Sequence, residues 1–154
     1  MTHAIRVHEY GGPEVLKWEE VEVGPPGPGQ VKIKQSAIGL NFIDVYQRTG
    51  LYPQPSLPFI PGMEGAGVVT EVGEGVRDLK VGRHVAYASS VGAYAEERLM
   101  PADRVVKIPA GISDKLAAAV MLKGMTAQYL LRRTYQVGPG TTLLFNAAAG
   151  GVGL

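Results

Sequence analysis

The 154 residues carry 15 basic and 14 acidic side chains, a net charge of +1, with 45% hydrophobic and 19% charged residues; this is ordinary globular composition, enough chain for one domain and at most part of a second, without the basic stripe that a nucleic-acid partner requires. No apolar run approaches the roughly 20 residues of a membrane span, and the polar start MTHAIRVHEYGG lacks the apolar stretch of a secretory signal, so a cytoplasmic protein with no membrane partner is expected. These residues include no cysteine, which removes disulfides, cysteine-ligated zinc and thiolate nucleophiles from consideration.

Twenty-one glycines and eleven prolines imply many turns and favour a barrel of short strands over a helix bundle. In chain order, β-type patterning covers 4–10 and 15–23 around the turn Gly11-Gly12-Pro13. GPPGPGQ (24–30) reads as a rigid loop. VKIKQSAIGL (31–40) opens as an alternating strand with Val31 and Ile33 on one face. NFIDVYQRTG (41–50) reads as a short helix or a loop. YPQPSLPFIPG (52–62), with four prolines, is an irregular excursion. Strands follow at 65–73 and 82–88, and two more within 92–109. The texture then changes. Ser113 is an N-cap for an alanine-rich helix over 113–122, and 123–137 reads as a second helix, with Arg132 and Arg133 placed to suit its dipole. GPG (138–140) is a stop, and TTLLFN (141–146) reads as a buried parallel strand.

AAAGGVGL follows that strand directly. A buried strand running into a glycine turn is how a nucleotide-binding βαβ unit opens: glycines allow the tight turn and close approach to a pyrophosphate, which the next helix's N–H groups would bind. The spacing is Ala147-x-x-Gly150-x-x-Gly153, with Ala where G-x-G-x-x-G has its first glycine, and a tight strand-to-helix turn is the plain alternative. A doubly wound sheet needs several more βα units, so only the start of such a domain is expected within these residues.

Five segments occur in order along the chain: IGLNFIDVYQRTGLYP (38–53), PGMEGAGVVTEVGEGV (61–76), GAYAEERLMP (92–101), LKGMTAQYLLRRTY (122–135) and NAAAGGVG (146–153). Together they resemble the zinc-free quinone oxidoreductases of the medium-chain dehydrogenase/reductase superfamily. The resemblance implies a mainly β fold with some α: a GroES-like β-barrel catalytic domain over 1–122, lacking a late segment that returns to it in the family. Residues 123–154 then form a connecting helix and the start of a truncated NADPH-binding Rossmann domain. It also implies NADPH as cofactor, a small-molecule quinone as substrate, and a homodimer for the parent enzyme. A strand such as TTLLF without sheet neighbours would invite self-association. Zinc-dependent relatives carry Cys in the segment matching Gly39–Asp44 and His after the glycine matching Gly62; GLNFID and Met63 stand here, so no metal is expected.

Hydride transfer needs position and electrostatics more than a nucleophile, and negative charge developing on a carbonyl oxygen calls for hydrogen-bond donors. Asn41, Tyr46, Arg48 and Tyr52 are the candidates for this catalytic role. The resemblance places Asn41, Phe42, Asp44 and Tyr46 along the nicotinamide side of the cleft and turns Tyr52 to the substrate. It sets Thr126 and Tyr129 near the cofactor, Lys123 as a positive charge beside its phosphates, and Gly150, Gly151 and Val152 on its pyrophosphate. Plainer roles stand beside these: Asn41 as a helix cap, Phe42 as core filler, Asp44 holding nearby backbone, Arg48 as a solvated charge, and Lys123, Thr126 and Tyr129 on a solvated helix face. A buried Glu64 would need a partner, which the sequence does not name. A stand-alone GroES-like binding module and an NADPH-dependent enone or alkenal reductase are the alternative functions.

Overall fold

The computed structural model describes all of residues 1–154. Strands β1 (Thr2–Val7) and β2 (Leu16–Val21) form an antiparallel hairpin, in register from Thr2 opposite Val21 to Val7 opposite Leu16. The other strands are β3 (Gln30–Gly39), β4 (Glu64–Val72), β5 (His84–Ala88), β6 (Glu97–Pro101) and β7 (Val106–Lys107). They build one antiparallel sheet in the order β6-β3-β4-β5-β7. Single bridges, Ala4 to Ala95 and Val7 to Phe59, tie the hairpin to the rest. A mainly β fold with few helices is what the resemblance implies.

Alternation along the strands sorts the side chains. Val31 and Ile33 of β3, Val69 of β4, Val85 and Tyr87 of β5 and Met100 of β6 form the main core. On the other side of the sheet stand small residues, Ala66 of β4 and Ala86 of β5, and against them pack Ala117 and Ala118 of helix α2 (Asp114–Tyr129). Small side chains on both surfaces let the helix lie close to the strands.

Ser113 caps α2 as expected, its Oγ accepting from the Leu116 N–H at 3.2 Å. The helix does not break at 122–123, however. It runs to Tyr129 and ends in a wider π turn, Leu130–Thr134, so the two expected helices are one. A lone interior glycine such as Gly124 costs a helix only about 1 kcal/mol and does not interrupt it. The expected strand at 141–146 is also absent: these residues are irregular, and Leu143, Leu144 and Phe145 are exposed. A strand exists through its ladder partners, and no sheet edge lies beside this segment.

The segment at 41–50 resolves as helix α1 (Phe42–Thr49), which ends at Gly50 in the left-handed conformation (φ 80°).

Candidate active site

The site begins at the N-terminus of α1. Asn41 is extended and nearly buried, as an N-cap should be. The helix start is secured from Asp44, whose Oδ2 accepts the Asn41 N–H at 2.9 Å, while the Asp44 N–H donates to the Asn41 carbonyl at 3.0 Å. This leaves the Asn41 carboxamide free to point elsewhere. Its Nδ2 donates to Glu64 Oε1 at 2.8 Å.

Glu64, at the start of β4, has 0% exposure. Lys123 Nζ donates to the same Oε1 at 3.0 Å, and the Leu122 N–H donates to Oε2 at 2.7 Å. These are the partners the sequence left unnamed. The signal was present as a single acid in a run of Gly, Ala and Val, since a carboxylate so placed must find donors. What the sequence could not supply was the packing of α2 over β4 that brings residues 122 and 123 to it. Lys123 is expected beside phosphates, but its ammonium here lies on Glu64, turned toward the sheet.

Asp44 is buried among different groups. Tyr94 donates its hydroxyl to Oδ2 at 2.9 Å, and Oδ1 has no partner. Burial pushes the Asp44 carboxyl above its ordinary value, against the lowering effects of the Asn41 N–H and the Tyr94 hydroxyl. Burial also raises the Tyr94 phenol, and the neighbouring Asp44 charge adds to the shift. Asp44 thus holds the first turn of α1. Sequence reasoning missed Tyr94, which sits 50 residues further along the chain.

The outer face of α1 is aromatic. Phe42 and Tyr46, four residues apart, have ring centroids 6.1 Å apart, and Tyr52 meets Tyr46 edge-on at 5.4 Å. The Tyr52 N–H donates to the Tyr46 carbonyl at 3.0 Å, which fastens the following loop to the helix. Phe42 is 78% exposed, so it is not core filler. It opens a platform with Tyr46 and Tyr52. Arg48 is not on this platform. It lines a small pocket of about 90 Å³ with Asp44 and Tyr94, and its Nε is buried without a partner, while the side chain as a whole stays partly exposed.

On α2, the Thr126 hydroxyl is committed to the Leu122 carbonyl at 2.8 Å, and Tyr129 is exposed. The glycine turn lies against the same helix: a Cβ at Gly151 would stand 2.7 Å from Lys123 Cδ and Cε, so a side chain there would displace the lysine stem. Ala147, which replaces the first glycine of the motif, adopts φ 55°, a left-handed conformation uncommon for residues with a side chain. The Gly150 N–H closes back on the Ala147 carbonyl at 2.8 Å. The N–H groups of Gly151 and Val152 donate to no backbone carbonyl. Free N–H groups on a glycine turn, beside a lysine, suit the phosphate portion of a dinucleotide.

The three histidines each go to a different carboxylate: His3 to Glu96, His8 to Glu19 and His84 to Asp114. In the last contact, His84 Nδ1 pairs with the first-turn Asp114 of α2 at 2.8 Å.

Fold and site together define a GroES-like β-domain of the dehydrogenase type. The chain belongs to the alcohol dehydrogenase GroES-like domain family, whose model matches residues 27–110. It is 53% identical to a quinone oxidoreductase of Pseudomonas aeruginosa over 100% of this chain and 48% of that protein. A 2-haloacrylate reductase of a Burkholderia species is 49% identical over 99% of this chain and 48% of that protein. The solved quinone oxidoreductase of Escherichia coli complexed with NADPH superposes with a TM-score of 0.95 at 48% identity, covering 98% of this chain and 47% of that one. The chain thus spans about half the length of the relatives it matches, and the resemblance to quinone oxidoreductases read from the sequence is borne out.

Proposed function

We propose that this chain forms the substrate side of an NADPH-dependent oxidoreductase that reduces a quinone. The observation that carries this reading is the convergence of the Asn41–Glu64–Lys123 cluster with a glycine turn whose N–H groups are free, in a chain that matches a quinone oxidoreductase solved with NADPH. When bound, NADPH supplies a hydride. With one proton the hydride converts a quinone into a hydroquinone, two electrons in all. Asn41 and Lys123 offer an amide and an ammonium to the oxygen on which negative charge develops. Phe42, Tyr46 and Tyr52 present apolar ring faces against which flat rings pack and exclude water. Gly151 and Val152, with Gly150 shaping the turn, would hold the pyrophosphate. Thr126 and Tyr129 border the cofactor on α2. Arg48 and Asp44 act from behind, on the conformation of α1.

The same reading places the catalytic domain at 1–122 and the nucleotide-binding segment from 123 onward, and it makes the whole protein a cytoplasmic homodimer. No helix is long and apolar enough to cross a membrane.

The test is NADPH oxidation by the whole protein with a simple benzoquinone, followed by the loss of NADPH absorbance. Turnover that survives chelators is expected, and none with any quinone would sink the proposal. The similarity to 2-haloacrylate reductase favours a second reading, reduction of an activated alkene. There the hydride goes to the carbon β to the carbonyl, and the same donors face an enolate oxygen. A higher kcat/KM for an α,β-unsaturated carbonyl than for any quinone would select it.

A further inference from the structure

Glu64 is enclosed completely, yet it touches three separate parts of the chain. Its Oε1 takes both the Asn41 carboxamide, from the start of α1, and the Lys123 ammonium, from the middle of α2. Its Oε2 takes the Leu122 N–H. Room for the carboxylate is made on β3, where Gly39 stands opposite Glu64 in the ladder and any Cβ would collide with the glutamate side chain. Lys123 keeps 28% of its side-chain surface, whereas Glu64 keeps none. The lysine side chain therefore keeps contact with solvent while the carboxylate that fixes its ammonium has none. The lysine stem in turn fills the space left by Gly151. One carboxylate thus connects the aromatic helix, the sheet, α2 and the glycine turn. A buried ion pair gives little stability beyond what apolar residues of similar volume would give. What it does give is geometry, because two donors on one oxygen must lie side by side.

We propose that Glu64 is a positioning residue of the hydride-transfer site, which clamps the Asn41 carboxamide and the Lys123 ammonium together so that a fixed cation faces the substrate oxygen. The proposal rests on the hydride-transfer reading above. In that site the lysine supplies the positive charge that stabilises the developing oxyanion, and Glu64 keeps it from swinging toward the glycine turn.

The test uses Glu64→Gln in the whole protein, which keeps the shape and removes the charge. Two readouts are needed. The first does not involve turnover: the Lys123 ammonium resonance, assigned by its loss in Lys123→Met, is sharp when the group is held in a hydrogen bond. It is expected in the native protein and absent in Glu64→Gln. The second is kinetic. Misplacing a reacting or stabilising group costs orders of magnitude in rate, so kcat should fall by about tenfold or more. The quinone KM should change by less than about threefold, since the interaction lost is one made mainly in the transition state. In the Lys123→Met background, Glu64→Gln should add almost nothing to the loss. A Lys123 resonance unchanged in Glu64→Gln overturns the clamp. An equal loss of kcat with and without Lys123 overturns the claim that Glu64 acts through it. If Glu64→Gln does not fold, Lys123→Met alone decides, because Glu64 keeps two donors there: an unchanged kcat overturns the proposal, and a tenfold loss in a protein of native melting temperature supports it. A whole protein with no NADPH turnover on any acceptor overturns the functional reading, and the resonance still decides the clamp.

Discussion

The sheet region and the stretch after α2 differ in one physical respect. Within residues 1–110 nearly every strand finds its ladder partner, and Val31, Ile33, Val69, Val85, Tyr87 and Met100 lose all contact with solvent. After residue 129 the chain is just as apolar in places, but Leu130, Leu131, Tyr135, Leu143, Leu144, Phe145 and Leu154 are all exposed. The same kinds of side chain are therefore buried in one region, while in the other nothing within these 154 residues packs over them. Hydrophobic sequence predicts burial only where something is available to bury it against, because the gain scales with area actually removed from water.

Substitutions in the two regions should separate this most sharply. Ile33→Ala leaves a cavity in the main core and should cost about 2–5 kcal/mol, read as a fall in melting temperature. In the 154-residue chain by itself, Leu144→Ala, at 90% exposure, should change stability by less than about 0.5 kcal/mol. A comparable loss from both would show that the C-terminal stretch is packed after all. A smaller effect is expected where α2 meets the sheet. Ala118, at 2% exposure against Ala66 and Ala86, has no room to grow, so Ala118→Leu should destabilise by about 1–3 kcal/mol through overpacking. A neutral result would mean that α2 is loosely docked and that the Glu64 contacts, not the alanines, hold it.

The contrast also explains what could be read in advance. Local signals served well where the chain supplies its own partners. Alternation at Val31 and Ile33 marked β3, Ser113 marked the start of α2, and the Asn41-to-Asp44 spacing fits a helix cap that the structure bears out. They served poorly where the outcome depends on distant residues. TTLLF has the composition of a buried strand, yet composition cannot provide a neighbouring edge. The expected break between 122 and 123 is likewise absent, because α2 runs on to Tyr129. At the site, Phe42, Tyr46 and Tyr52 come together on neighbouring parts of one segment, so their proximity was legible. Glu64 with Lys123, and Asp44 with Tyr94, are joined across 59 and 50 residues, and only the fold pairs them. Arg48 shows the limit from the other side: two positions beyond Tyr46 on a helix, it turns away from the platform.

The smallest expected effect is on pH dependence, and it sets two carboxylates of the sheet region against each other. Glu96 accepts the His3 N–H at 2.9 Å and the Thr2 hydroxyl at 3.2 Å, and the His3 N–H in particular holds its carboxyl below the ordinary 4.5. A lowered carboxyl contributes stability that is present above its unfolded value and lost as pH falls through the folded one. Asp44 is the opposite case, since burial raises it above the ordinary 3.8. Its contribution is complete below 3.8 and fades as pH rises through the raised value, because the native state must then hold an ionised group out of water. Melting temperatures across the acid range should therefore change in opposite senses. Glu96→Gln should flatten the decline in stability below pH 4.5, and Asp44→Asn should remove a decline that begins above pH 3.8. Because Glu96 lies at the surface, its effect should also shrink in high salt, whereas that of Asp44, set by burial, should not. Parallel shifts in both variants would mean that Asp44 is better solvated than its place behind Tyr94 implies.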